Sequence, residues 1–115
     1  MAVYEATEKN FDELLNTEYA VVDFYGDHCG PCKMLAPVYN EASNDLAMLR
    51  FIKVSTDQCR ELAKRFDIHL VPTLLFFRDG RAVHACKGAM DRKTLNEHLA
   101  KLLYGGEFYG QDPSK

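Results

Sequence analysis

Short runs rich in β-branched and aromatic residues alternate along this chain with stretches of helical period. That alternation restricts it to helices crossing over a largely parallel sheet. Val3 to Ala6 reads as a strand, and Thr7 is placed to cap a helix carrying Phe11, Leu14 and Leu15 on one face. Tyr19 to Tyr25 is the next strand, apolar except for Asp23, as expected of a strand covered on both faces. From Pro31 to about Met48 the period is helical, with Met34, Leu35, Val38, Ala42 and Leu46 in one stripe; Pro37 inside it predicts a kink rather than a break. Leu49 to Val54 gives a third strand, and Asp57 is the candidate cap of a short helix through Leu62, Ala63 and Phe66. Leu74 to Phe77, then Arg78-Asp79-Gly80, then Ala82 to Lys87 spells strand, turn, strand. Asp91 opens a last helix with Leu95, Leu99, Leu102 and Leu103 on one face, and Gly105 ends it. The expected order is β-α-β-α-β-α-β-β-α, an α/β fold whose sheet is parallel at the crossovers and antiparallel at the hairpin.

At 115 residues the chain is one domain's length. With 47% apolar and 27% charged residues its composition argues against disorder and against a membrane protein. Its 14 basic and 17 acidic residues are interspersed and leave a net charge of −3, so nucleic acid is not an expected partner. Met1 to Glu5 lacks the charged and apolar regions of a signal peptide, and no run approaches the length of a spanning helix. The expected compartment is the cytoplasm. Thiols there are kept reduced, which makes the four cysteines catalytic, metal-binding or simply buried before it makes them structural disulfides.

Cys29-Gly30-Pro31-Cys32 falls where the second strand ends and the long helix begins. Unpaired N–H groups and partial positive charge at a helix start favour thiolate over thiol at Cys29. Two intervening residues bring both sulfurs onto one turn. Gly30 lets a partner's backbone approach, and Pro31 starts a helix without wasting a donor. Such a dithiol attacks a substrate disulfide with Cys29, forms a mixed disulfide, and releases product when Cys32 attacks in turn. Half of a zinc site has the same spacing, but Cys59 and Cys86 are 27 residues apart and form no second pair of this kind. Asp23 is either a buried carboxylate, whose proton affinity burial would raise, or a group at the strand's wet end.

The chain resembles the thioredoxin family from about residue 3 to 104. The resemblance rests on Val22-Asp23-Phe24, Cys29-Gly30-Pro31-Cys32-Lys33, Ala36-Pro37, Val71-Pro72-Thr73, Asp79-Gly80 and Lys87-Gly88-Ala89. It implies a thioredoxin fold over residues 1–104, a central mixed five-stranded sheet ordered β1-β3-β2-β4-β5 and flanked by four helices, with a cis bond before Pro72 facing the cysteines. It further implies that Val71, Pro72, Gly88 and Ala89 dock an extended substrate segment, that Asp23 takes the Cys32 proton through a water, and that Lys53 is its charge partner. Implied too are disulfide-containing protein substrates, recharging by a flavin-containing thioredoxin reductase, a monomer, no membrane partner, no bound metal and no cofactor beyond the Cys29–Cys32 disulfide. Residues 105–115 extend past the usual family end as a tail that either frays or docks Phe108 and Tyr109.

The family's two tryptophans near the first cysteine are replaced by Tyr25 and His28, and the chain has no tryptophan at all. Tyr25 keeps a flat aromatic body at the site. A protonated His28 would favour the Cys29 thiolate and shift the protein toward oxidant; a solvated His28 pointing away would not. Cys59 and Cys86 read as packing residues or idle thiols, although certain animal members carry a cysteine at the Cys59 position for which regulatory oxidation has been proposed. His69 is expected to rim the docking surface, His84 and His98 to be exposed, and Lys33 to be a solvated charge. The expected activity is protein-disulfide reduction; the alternatives are a non-catalytic interaction module using the same groove, or an oxidase or isomerase running the chemistry in reverse.

Overall fold

A computed structural model describes residues 3–105 of the chain. The elements are β1 (Val3–Glu5), α1 (Phe11–Leu15), β2 (Tyr19–Tyr25), α2 (Gly30–Asp45), β3 (Arg50–Ser55), α3 (Arg60–Arg65), β4 (Thr73–Arg78), β5 (Arg81–Lys87) and α4 (Arg92–Tyr104). Their order is the one the sequence implies. The five strands form one sheet ordered β1-β3-β2-β4-β5, with β1, β3 and β2 parallel and β4 and β5 antiparallel.

Alternation along β2 and β3 divides the core between two faces. Val22, Phe24, Ile52, Val54, Leu75 and Phe77 pack with Phe11 and Leu15 of α1 and Leu62 of α3. Val21, Phe51, Leu74 and Phe76 pack on the other face with Leu35, Tyr39 and Ala42 of α2 and Leu95, Leu99 and Leu102 of α4. Asp23 has the parity of Val21, so it faces α2. Tyr39 is fully buried there, its hydroxyl 2.9 Å from the Val21 carbonyl and 2.7 Å from that of Ile52. One buried phenol thus ties α2 to both central strands.

The long helix is a single element, unbroken at Pro37. Its apolar stripe differs from the sequence reading at two positions: Met34 is 71% exposed, and Tyr39 fills the core. Two caps also differ. Thr7 forms a turn with Asn10, each backbone N–H bonded to the other's side chain, and α1 begins only at Phe11. Asp57 does not cap α3, whose N-cap is Cys59; the N–H groups of Glu61 and Leu62 instead donate to the carboxylate of Glu8 at 2.9 and 3.1 Å. That acceptor is more than fifty residues away in sequence, beyond the reach of any local pattern. Asp91 does cap α4, accepting from Thr94 N–H at 2.9 Å, and Gly105 ends it, where a Cβ would lie 2.9 Å from the Lys101 Cα.

His84 and His98, read from sequence as exposed, are half-buried. They stack on one another and on Phe76, with His84 Nε2 3.1 Å from His98 Nδ1. Burial pushes the His84 imidazole down to about 4 and lowers that of His98 as well. Among the described residues no helix is long and apolar enough to cross a membrane. Phe108 and Tyr109, and the tail from 106 on, lie outside the described residues.

Candidate active site

β2 runs out at Tyr25, and a four-residue loop carries the chain to the start of α2. Cys29 is the N-cap of that helix. Its Sγ accepts from Cys32 N–H at 3.2 Å, the contact by which a helix start stabilises sulfur carrying negative charge. Cys29 and Cys32 are joined as a disulfide with Cα atoms 5.2 Å apart. The two sulfurs are not equivalent. Cys29 is half-buried and Cys32 only 5% exposed, so an incoming disulfide meets Cys29 first. Gly30 is exposed with nothing within 4 Å of a Cβ built on it, and Pro31 occupies the first turn of the helix.

The Val71–Pro72 bond is cis. The Val71 carbonyl oxygen lies 3.8 Å from Cys29 Sγ, and the Pro72 carbonyl accepts from Gly88 N–H at 2.8 Å. Gly88 has φ +90°, a conformation that side chains resist. Val71, Pro72 and Gly88 are therefore gathered beside the disulfide, with Ala89 next in the chain and exposed. His69 is exposed and paired at 2.6 Å with Asp67.

Asp23 is 1% exposed, and its Oδ1 has no hydrogen-bond partner among the described residues. Burial pushes its carboxyl up to about 7; Lys53 works against that rise and Glu5 adds to it. Lys53 stands opposite Asp23 across β2 and β3, and its ammonium lies 4.6 Å over the Tyr25 ring. Tyr25 donates its hydroxyl proton to Glu5 Oε2 at 2.8 Å, and burial together with that bond raises its phenol further. An acid poised near neutrality in an apolar strand suits proton acceptance from a thiol.

Several residues that shape the loop escaped the sequence reading. Asp27 accepts from Ser55 Oγ at 2.7 Å and Gln58 Nε2 at 3.2 Å, while its own N–H donates to Asp57 Oδ2 at 2.7 Å. Those bonds pin the loop to the end of β3 and the turn that follows it. Gly26 packs so closely that a Cβ would lie 3.3 Å from Val71 Cγ2 and 3.4 Å from Cys29 Cβ. The only local signal for either was a small and an acidic residue just ahead of Cys29. His28 is exposed, and so is Lys33.

Cys59 and Cys86 are free thiols. Cys59 is buried against the Ala6 carbonyl oxygen at 3.7 Å, and burial raises its thiol; burial pushes Cys86 up to about 12. Both are poor thiolates in these surroundings. Among the described residues no three of the His, Cys, Asp and Glu side chains are grouped to hold a metal ion.

The sequence matches the family model described as Thioredoxin over residues 2–101. A thioredoxin of Mycoplasmoides gallisepticum is 39% identical over 76% of this chain and 89% of its own length. Thioredoxins of Staphylococcus haemolyticus and Bacillus subtilis are 36% and 33% identical, each over 90% of this chain and their whole length.

Proposed function

This chain belongs to the thioredoxin family, and on that premise we propose that it runs as a protein-disulfide reductase, with Asp23 serving its second step. It is a thiol–disulfide oxidoreductase whose working group is the Cys29–Cys32 pair. The observation that carries the finer reading is the pairing of a helix-capped, accessible sulfur at Cys29 with a buried one at Cys32, on the face of the sheet where Asp23 is held near neutrality.

In the reduced protein the Cys29 thiolate attacks a substrate disulfide, and one substrate sulfur leaves as thiolate and takes up a proton. Cys32 then gives its proton to Asp23 and attacks Cys29 Sγ, and the second substrate sulfur leaves. Two electrons pass to the substrate, and the protein keeps the disulfide. Val71, Pro72, Gly88 and Ala89 serve as the docking surface, on which an extended segment pairs with the Val71 backbone. Lys53 tunes the charge of Asp23. Protein disulfides are the substrates, a flavin-containing thioredoxin reductase is the electron donor, the protein acts as a monomer, and the compartment is the cytoplasm, where Cys59 and Cys86 stay reduced. No bound metal or cofactor is needed, because the two sulfurs hold the electrons.

Turnover of a model protein disulfide with dithiothreitol as donor tests this reading. Catalysis above the rate of the donor alone is expected. Binding of the substrate without turnover would instead make the chain an interaction module.

His28 supplies a second test. It stands immediately before the helix N-cap, where its protonated form would add to the field that favours the Cys29 thiolate. The substitution His28→Trp is expected to make the disulfide harder to reduce, seen as a more negative potential in equilibrium with glutathione and a higher Cys29 pKa. Neither quantity moving would show that His28 is only a solvated neighbour.

A further inference from the structure

The Lys53 ammonium does not sit in an isolated pair with Asp23; its place is shared with Glu5 and with Tyr25, which is more than a flat aromatic body at the site. Register aligns Glu5, Lys53 and Asp23 in one row across β1, β3 and β2. Parity puts Tyr25 on the same face of β2 as Asp23. The Tyr25 ring carries the ammonium 4.6 Å above its centroid, and the Tyr25 hydroxyl holds Glu5 Oε2 at 2.8 Å. Glu5 is thus next to Lys53 in register, yet its carboxylate is tied to the phenol.

We propose that Glu5 and Tyr25 are positioning residues for the resolving step, fixing how much of the Lys53 charge reaches Asp23 and so the pH at which Asp23 accepts the Cys32 proton. The proposal rests on Asp23 being that acceptor. The ring attracts the ammonium by its quadrupole and gives it a resting place that is not a carboxylate. The hydroxyl keeps Glu5 from closing on Lys53, where it would neutralise the ammonium and strip Asp23 of a nearby charge that favours its ionised form. Glu5 also acts directly, since its negative charge raises the proton affinity of Asp23. The other groups facing Asp23 do not compete. Tyr39 of α2 is held protonated by burial, Leu74 of β4 stands opposite and does not ionise, and Cys32 of α2 is the proton donor itself.

Opposite shifts follow from the two substitutions. Glu5→Gln removes the repelling charge and lowers the pH midpoint of mixed-disulfide release. Tyr25→Phe keeps the ring but frees the Glu5 carboxylate for Lys53, and raises that midpoint. In the double variant the effect of Tyr25→Phe vanishes, because the carboxylate it would release is gone. Glu5 is exposed and both changes are nearly isosteric, so folding is not at stake.

The experiment is stopped-flow release of a preformed mixed disulfide from pH 5 to 9 for wild type, both single variants, the double variant and Asp23→Asn. Shifts of opposite sign in the single variants, with the double variant matching Glu5→Gln alone, are the expected result. Unmoved midpoints with a pH-dependent wild type abolished by Asp23→Asn would overturn the positioning role alone. A pH dependence that survives Asp23→Asn would overturn the acceptor reading beneath it.

Discussion

Cys32→Ser is expected to leave a protein that attacks disulfides but does not let go of them. Cys29 keeps its place as the N-cap of α2, with the residue 32 N–H still aimed at its sulfur, so the first exchange survives. The second does not, because the only sulfur within one helical turn of Cys29 is gone. Substrate therefore accumulates as a mixed disulfide visible by non-reducing electrophoresis and mass spectrometry. Turnover falls by roughly three orders of magnitude or more, as when one member of a covalent mechanism is removed. Cys59 and Cys86 do not rescue it, since burial raises both thiols. Cys29→Ser should be equally inactive but trap nothing. Trapping by Cys29→Ser and release by Cys32→Ser would reverse the two assignments.

The substitution Asp23→Asn should have two separable effects. Loss of the acceptor slows release of the mixed disulfide by about 10²-fold, the low end of what a positioned base contributes, and leaves the first attack unchanged. Equal slowing of both steps, or of neither, would count against the role. The second effect is on stability. The folded-state carboxyl is raised from 3.8 to about 7, so between those values the native state binds more protons than the unfolded chain. Stability due to this group is therefore greatest below the unfolded value and is lost as the pH rises toward 7. A displacement of that size corresponds to on the order of 4 kcal/mol of destabilisation, fully expressed above pH 7. Denaturant midpoints at pH 8 should rise in Asp23→Asn, and the difference from wild type should shrink as the pH approaches 4. A variant less stable than wild type at pH 8 would contradict a buried, unsolvated carboxylate.

Element order was readable because periodicity is local. Tyr19 to Tyr25 spells a strand covered on both faces, and Asp91 and Gly105 mark both ends of α4 by their own chemistry. The two cysteines and Asp23 could be found for the same reason: each is an anomaly in its immediate stretch. What escaped depends on distant partners. Glu8 caps α3, Asp27 is held by Ser55 and Gln58, and Glu5 meets Tyr25 only once β1 and β2 flank β3. His84 and His98 looked solvent-facing because neither stretch shows that a strand and a helix will stack their rings. The exchange of tryptophan for Tyr25 was legible as a departure, but its consequence was not. The phenol introduces a hydrogen-bonding group, and only the fold shows Glu5 placed to accept its hydrogen bond.

The direction of electron flow is the central claim, and the redox equilibrium of the Cys29–Cys32 pair against glutathione measures it most directly. A reductase account predicts a potential on the reducing side of the glutaredoxin range, between about −230 mV and the roughly −270 mV general for thioredoxins, with His28 drawing it toward the upper value. A potential near the −180 to −120 mV of about the strongest disulfide donors would make the protein an oxidant or isomerase and contradict the account.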